Sequence, residues 1–324
     1  MAEVVVTALA VLLASLFLGA PVMAAIGFTG IVTMLVFMGG KFLIQFASIA
    51  YSQGTSMNQL VAPLFIMMAE FLARGGIAED IYSVLNRLLR RFKGGLAIAT
   101  TLACTVFAAL CGSSPATAAS IGRISVEQMT ARRYRKDFAI GTVSGGGTLG
   151  IMIPPSITLV TYGILTETSI ADLLMAGLVP GLMLSLLMCV STVVRVRVSP
   201  ELIGDIRPGR KFNPESYAVD VTQPPQVSEE DDGGTSWAPQ FLRILPAFIL
   251  IFIVLGSMYT GMATPTESAG IGAMGAMLIV VFLRRFSKQM FIDTMKATAK
   301  TGTMIIFLVI AGFCLSFVLS YVGV

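Results

Sequence analysis

Histidine is absent from the 324 residues. Its absence removes the usual zinc ligands, the general base of Ser-His-Asp hydrolysis and the imidazole of proton relays. Charge is scarce as well: Asp, Glu, Lys and Arg together make 12% of the chain, against 55% apolar residues. A soluble domain carries about 25% charged residues, so the composition predicts an all-α polytopic membrane protein. Cys104, Cys111, Cys189 and Cys314 stand singly inside apolar runs. They lack the paired spacing of a disulfide framework or a metal knuckle and are expected to be small core residues. Tryptophan occurs once, at Trp237, which reads with Tyr259 as an interface anchor. The net charge of +4 sorts into loop positions rather than one basic patch, so it marks topology and predicts no nucleic-acid partner.

Long apolar runs are what the chain has instead. The first, Val4 to Gly39, is about twice the ~20 residues that one crossing needs. Gly19-Ala20-Pro21 divides it into two short helices joined by a tight turn. Glu3 is acidic and no Lys or Arg precedes Lys41, which argues against a secretory leader. Further spans are Leu60 to Ala73, Phe138 to Gly163, Asp172 to Val194, Phe241 to Tyr259, Thr264 to Leu283 and Gly302 to Tyr321, about eight crossings together. Between Val194 and Phe241 the chain turns polar, with Pro200, Pro208, Pro214, Pro224 and Pro225 and the acidic run Glu229-Glu230-Asp231-Asp232. That stretch reads as a solvated linker.

The segment from Gly95 to Ile124 does not fit a simple crossing. Its two apolar limbs, interrupted at Cys111-Gly112-Ser113-Ser114-Pro115, are each only about fifteen residues or fewer. A single crossing would place Arg90, Arg91 and Lys93 opposite Arg132, Arg133, Arg135 and Lys136. A re-entrant hairpin with its tip at membrane depth puts both clusters on one side. With that hairpin, every one of the 22 basic residues except Lys41 falls on the cytoplasmic side, and the chain starts outside. The helix from Phe241 then starts inside, the mark of an inverted repeat. Gly19-Ala20-Pro21 and Thr264-Pro265 occupy matching turns, and Thr264 with Glu267 forms a capping box. Ile77 to Phe92 reads as an interfacial amphipathic helix, and Phe286 to Lys300 as a weaker one. Glu70 is expected to be paired or solvated.

Gly145-Gly146-Gly147-Thr148-Leu149-Gly150 satisfies G-x-G-x-x-G, but a dinucleotide fingerprint needs a strand before it and a helix after it. Here an apolar segment surrounds the glycines and Pro154-Pro155 follow. Glycine freedom and two missing N–H donors break the helix instead. The freed carbonyls need water, a neighbouring helix or a cation. Such breaks are either packing kinks or the ion and substrate sites of secondary transporters. A second break at the hairpin tip, with its hydroxyls, favours a site. Oxygen ligands without carboxylates suit Na⁺ better than a transition metal. No cofactor is expected, no nucleophile–base pair for an enzyme is present, and Na⁺ is the expected coupling ion.

These residues resemble the large membrane subunit of tripartite ATP-independent periplasmic (TRAP) transporters. The resemblance lies in Gly147-Thr148-Leu149-Gly150-Ile151-Met152-Ile153-Pro154-Pro155-Ser156-Ile157, in Tyr162 to Ile170 and in Ala176 to Gly181. It extends to Gly112-Ser113-Ser114, Ala116 to Ala119, Arg74 to Ala78 and Ala263 to Glu267. It implies a sodium-coupled importer of C4-dicarboxylates or related organic acids in a bacterial inner membrane, an elevator-type inverted-repeat fold, a small membrane subunit and a periplasmic substrate-binding protein. It places sodium at Cys111, Ser113, Gly150, Ile153 and Pro155, and substrate at Ser114, Thr117, Ser156 and Thr158. It divides the chain into scaffold helices and an amphipathic arm (1–94), a transport-domain half (95–194), a cytoplasmic linker (195–240) and scaffold helices of the second repeat (241–324). Cys111 departs from the Ser-Gly-Ser tip common in the family. The family pattern continues for about a hundred residues with a second hairpin and broken helix, so the chain is expected to be a fragment or to be completed by another polypeptide. A carrier that needs no binding protein and a non-transporting scaffold remain the alternatives.

Overall fold

The computed structural model describes residues 2–40, 43–89, 91–203 and 238–323. The readings of Lys41, Arg90, the acidic run and Trp237, and most of the linker, lie outside the described residues. Within them the chain is all helical, with no strand. That removes the dinucleotide reading of the glycine run, which sits at the end of a helix and passes into a 3-10 turn.

The first apolar run folds as two helices, α1 (Ala2–Phe17) and α2 (Val22–Phe37). Gly19 turns the chain with φ 81°, a conformation a Cβ would strain, and Pro21 stands at the start of α2. Next come α3 (Leu43–Gly54) and α4 (Val61–Arg74), bent by 59° across the break between them. The sequence reading had no element at α3. The Gly75–Gly76 turn leads into α5 (Ile77–Leu89), and α6 (Gly95–Cys111) and α7 (Ser114–Ala131) follow. α8 (Lys136–Gly147) and α9 (Ile157–Leu165) flank the glycine-to-proline break. α10 (Ile170–Val198) closes the first half, and α11 (Ala238–Tyr259), α12 (Pro265–Phe282) and α13 (Lys288–Val322) make the second.

By length and apolarity, three described helices can each cross a membrane alone, α10, α12 and α13, or four if the bent α3–α4 pair is one span. α1, α2 and α6 are shorter apolar helices. α13 corrects the sequence reading at one point. The stretch from Phe286 to Lys300 is no separate interfacial helix. It is the first part of one helix of 35 residues, because no glycine–proline break separates Lys300 from the apolar turns that follow.

Close contacts fix the relative directions of the helices. A Cβ at Gly27 would lie 3.5 Å from Ala311, and one at Gly30 3.5 Å from Leu315, so α2 and α13 run parallel. Gly272 packs on Met68 and Val280 on Gly75, so α12 and α4 also run parallel. Gly302 meets Pro63, while Phe71 and Phe291 lie with ring centroids 6.1 Å apart, so α4 and α13 are antiparallel. α2 and α12, the second helix of each half, therefore point in opposite directions.

One end of this arrangement gathers Arg74, Arg285 and Lys288. There Arg285 donates to both Asp80 carboxylate oxygens (2.6 and 3.1 Å) and to the Gly75 carbonyl (2.8 Å). The bonds to Asp80 raise the guanidinium's already high pKa and tie α5 to the loop after α12. Glu70 pairs with Arg74 at 2.9 Å. α5 differs from a helix lying in the lipid interface, since Ile77, Ile81 and Tyr82 are buried inside the protein against its helical neighbours. At the other end, the capping box forms as expected. The Glu267 N–H donates to the Thr264 hydroxyl at 3.3 Å, and the Glu267 carboxylate accepts from the Thr264 N–H at 2.8 Å.

Candidate functional site

The hairpin and the broken helix meet at their irregular points. α6 ends at Gly112 with φ 58°, a left-handed turn that suits glycine. Crowding adds a second reason: a Cβ there would fall 1.8 Å from the Pro155 carbonyl oxygen. α7 restarts from Ser113 with Pro115 in its first turn. Both feet of this hairpin stand at the basic end. Gly94 packs on Val196, and the Arg135 N–H donates to the Leu202 carbonyl at 3.0 Å.

Small residues let α8 lie against the hairpin. A Cβ at Gly122 would be 2.9 Å from Val143, one at Gly147 2.9 Å from Ala118, and one at Gly150 2.8–2.9 Å from the Ser113 backbone. α7 and α8 are thus antiparallel and converge on the tip. The Ile157 N–H donates to the Gly112 carbonyl at 3.0 Å, so the tip is bonded to the first turn of α9. Gly177 and Gly181 of α10 press on Met152 and Ile153. Gly181 lies within ~5 Å of the midpoint of the 29-residue α10 along its axis, which sets the break near the middle of that span.

The expected sodium residues come together. Cys111, Gly150, Ile153 and Pro155 are buried and Ser113 is half-buried. The Ser113 carbonyl accepts from the Thr117 N–H at 2.9 Å and from the Cys111 thiol at 3.4 Å. Among the described residues, no hydrogen bond reaches the carbonyls of Ile153, Pro154 or Pro155. Buried unbonded carbonyls are costly, and these lie where the helix is broken and the following N–H groups turn elsewhere, Ile157 to the Gly112 carbonyl and Leu159 to the Ser156 hydroxyl.

The expected substrate residues divide. Thr117 is fully buried, with its hydroxyl 3.2 Å from the Cys111 sulfur. Ser156 is also fully buried, but its hydroxyl donates to the Ile151 carbonyl and accepts from the Leu159 N–H, capping α9. Ser114 is half-buried and Thr158 exposed, so these two hydroxyls are the reachable ones. The sequence reading missed the Thr105–Ser185 hydrogen bond of 2.6 Å that joins α6 to α10. No spacing rule links residues on two helices so far apart. No cluster of three or more His, Cys, Asp or Glu able to hold a metal occurs among the described residues.

Residues 9–324 match the family described as the DctM component of tripartite ATP-independent periplasmic transporters. Among curated proteins, the chain is 34% identical to a C4-dicarboxylate TRAP transporter large permease of Pseudomonas aeruginosa, over 81% of this chain and 55% of that permease. It is 29% identical to an ectoine/5-hydroxyectoine large permease of Ruegeria pomeroyi, over 96% of this chain and 69% of that one. It is 28% identical to a sialic acid large permease of Vibrio cholerae, over 91% and 63%. The chain spans about half the length of the C4-dicarboxylate permeases of Pseudomonas aeruginosa and Vibrio cholerae that it matches. With a family match over nearly its whole length and relatives that are transport proteins rather than enzymes, the chain belongs to the DctM-type large permeases of the TRAP transporters.

Proposed function

We propose that the chain belongs to a sodium-coupled carboxylate importer in a bacterial inner membrane. In this reading it works with a small membrane subunit and receives substrate from a periplasmic binding protein. The observation that carries it is the set of unbonded carbonyls at Ile153, Pro154 and Pro155 beside the hairpin tip. Oxygen donors without a carboxylate suit a hard monovalent cation, and a broken helix near the middle of the span is where secondary transporters hold ions. Cys111, Ser113, Gly150, Ile153 and Pro155 would hold sodium, with Cys111 acting through its carbonyl. Ser114 and Thr158, which are reachable, and Thr117 and Ser156, which are buried, would shape the substrate end.

The opposite directions of α2 and α12 support an inverted repeat of about eight crossings. Within it, the hairpin and broken helix would move as one body against the remaining helices, in an elevator. The relatives' names include C4-dicarboxylate, ectoine and sialic acid, and a C4-dicarboxylate is the first substrate to test. The test is uptake into proteoliposomes that hold the complete transporter carrying this chain, with its binding protein supplied outside. Labelled C4-dicarboxylate should accumulate under an inward Na⁺ gradient and fail to do so when choline replaces Na⁺. Uptake that is indifferent to Na⁺ overturns the coupling.

A further inference from the structure

Two glycine turns flank α5. Gly75–Gly76 joins it to α4, and a turn at Gly94, with φ 77°, joins it to α6. α5 packs against α4 and α11 among the remaining helices and against α6 and α7 of the hairpin. If the hairpin travels against the remaining helices, α5 has to part from one set or the other. The strength of its ties on each side decides which.

On the side of the remaining helices the tie is ionic and centred on one guanidinium. Arg285, in the loop after α12, donates to both Asp80 oxygens at 2.6 and 3.1 Å and to the Gly75 and Gly76 carbonyls at 2.8 and 3.2 Å. Charged hydrogen bonds in a forked pair are about twice as strong as neutral ones. The Arg285 and Asp80 side chains are only 31% and 14% exposed, so salt screens them little. The turn beneath is crowded as well. A Cβ at Gly75 would fall 2.6 Å from Val280, and one at Gly76 3.0 Å from Arg285 itself.

On the hairpin side the ties are weaker. The Asn86 amide donates to the Gln128 side-chain oxygen at 2.8 Å, a neutral pair. Glu79 and Arg123 stand 3.8 Å apart and exposed, a geometry that contributes little. The rest is apolar packing around Ile77, Ile81 and Tyr82, and the buried Tyr82 hydroxyl finds no partner there. Apolar contact is non-directional, so it resists sliding less than a forked ion pair does.

We propose that Arg285 is a positioning residue for transport: it holds α5 to the helices that stay, so that in each cycle the hairpin slides past α5, breaks the Asn86–Gln128 bond and bends the chain at Gly94. Arg285 acts through Asp80 and the Gly75–Gly76 turn. The proposal rests on the moving-body reading given above, and its test separates the two.

The test is Na⁺-driven uptake by the complete transporter in proteoliposomes, in a background free of the four native cysteines, with a short reducible thiol crosslinker. Leu165→Cys with Gly312→Cys ties α9 to α13, where a Cβ at Gly312 would lie 2.9 Å from Leu165. That link should abolish uptake until reductant is added; uptake that survives it overturns the moving body itself. Asn86→Cys with Gln128→Cys ties α5 to α7 and should also stop uptake reversibly. If the first link stops uptake and the second does not, α5 travels with the hairpin and the role of Arg285 is overturned. Arg285→Gln should lower the maximal rate about tenfold at unchanged half-saturating Na⁺ and substrate, and Arg285→Lys, which keeps the cation without the fork, should recover about half of it. Arg285→Gln should also restore part of the uptake lost in the linked Asn86–Gln128 pair, because α5 is then free to follow, a response that a purely structural role does not give. A wild-type rate in folded Arg285→Gln, or no such recovery in the linked pair, overturns the proposal.

Discussion

Gly112 and Gly150 carry the tightest constraints at the scale of single residues. Gly112 combines a left-handed φ with a carbonyl 1.8 Å from where a Cβ would stand, so Gly112→Ala should prevent the tip from docking and abolish assembly. Gly150 is the more informative site, because its missing Cβ would press at 2.8–2.9 Å on the Ser113 backbone without any φ penalty. Gly150→Ala should fold, push the tip off the break and raise the Na⁺ concentration for half-maximal uptake about tenfold. Unchanged Na⁺ dependence in a correctly folded Gly150→Ala protein would remove this pair from the ion site. Ser185→Ala offers the contrast: it loses one buried hydrogen bond to Thr105, should cost about 1 kcal/mol of stability and leave Na⁺ dependence alone.

Residue types at the site were legible because they are unusual. Adjacent prolines after a glycine run in an apolar segment leave few alternatives to a broken helix. The Ser156 cap and the Arg285–Asp80 pair were not legible, since each depends on which hydroxyl or carboxylate the fold brings near. Arg285 and Asp80 are 205 positions apart, and no local pattern announces such a partner. Asp80→Asn should lower the unfolding midpoint by several degrees, about 1.5–3 kcal/mol for a charged hydrogen-bonded pair, as measured by a thermal-shift assay on the purified assembly.

Among the elements, the turn into α12 is the clearest case of sequence setting structure. Thr264, Pro265 and Glu267 fall at the cap, first-turn and reciprocal positions, and all the expected bonds form. The Thr264 N–H and hydroxyl both donate to the Glu267 carboxylate at 2.8 Å. Glu267→Gln weakens these bonds, so hydrogen exchange at the Thr264–Ser268 amides should quicken severalfold in that variant; unchanged exchange would contradict a stabilising role for the cap. The weakest sequence reading concerned α13. Lys288, Lys296 and Lys300 suggested a surface helix, whereas the stretch holds no proline and its glycines are single, so one helix runs from Lys288 onward. Charge pattern located an environment there and said nothing about continuity.

Over the whole molecule, charge asymmetry predicted that both hairpin feet, Arg74 and Arg285 share one end, and helix directions agree with that arrangement. Paired cysteines offer a direct check in a background free of Cys104, Cys111, Cys189 and Cys314. Gly30→Cys with Leu315→Cys should crosslink readily, as should Gly27→Cys with Ala311→Cys. Swapped pairs, Gly30→Cys with Ala311→Cys and Gly27→Cys with Leu315→Cys, should crosslink more weakly than either. Comparable yields from swapped and unswapped pairs would contradict the parallel packing of α2 on α13. What sequence could not supply at this scale is which helix of one half meets which of the other, because apolar lipid-facing and protein-facing residues look alike in composition.

That exchange of partners sets an order of events during synthesis. α2 finds its mate in α13 and α4 finds its mate in α12, so neither helix can complete its packing until the ribosome has delivered most of the later half. Until then the glycine faces around Gly27 and Gly75 must be shielded by lipid or an insertion chaperone. A translational pause after α10 would prolong that unfinished state, while a swap of α12 or α13 between neighbouring copies would be its natural misassembly.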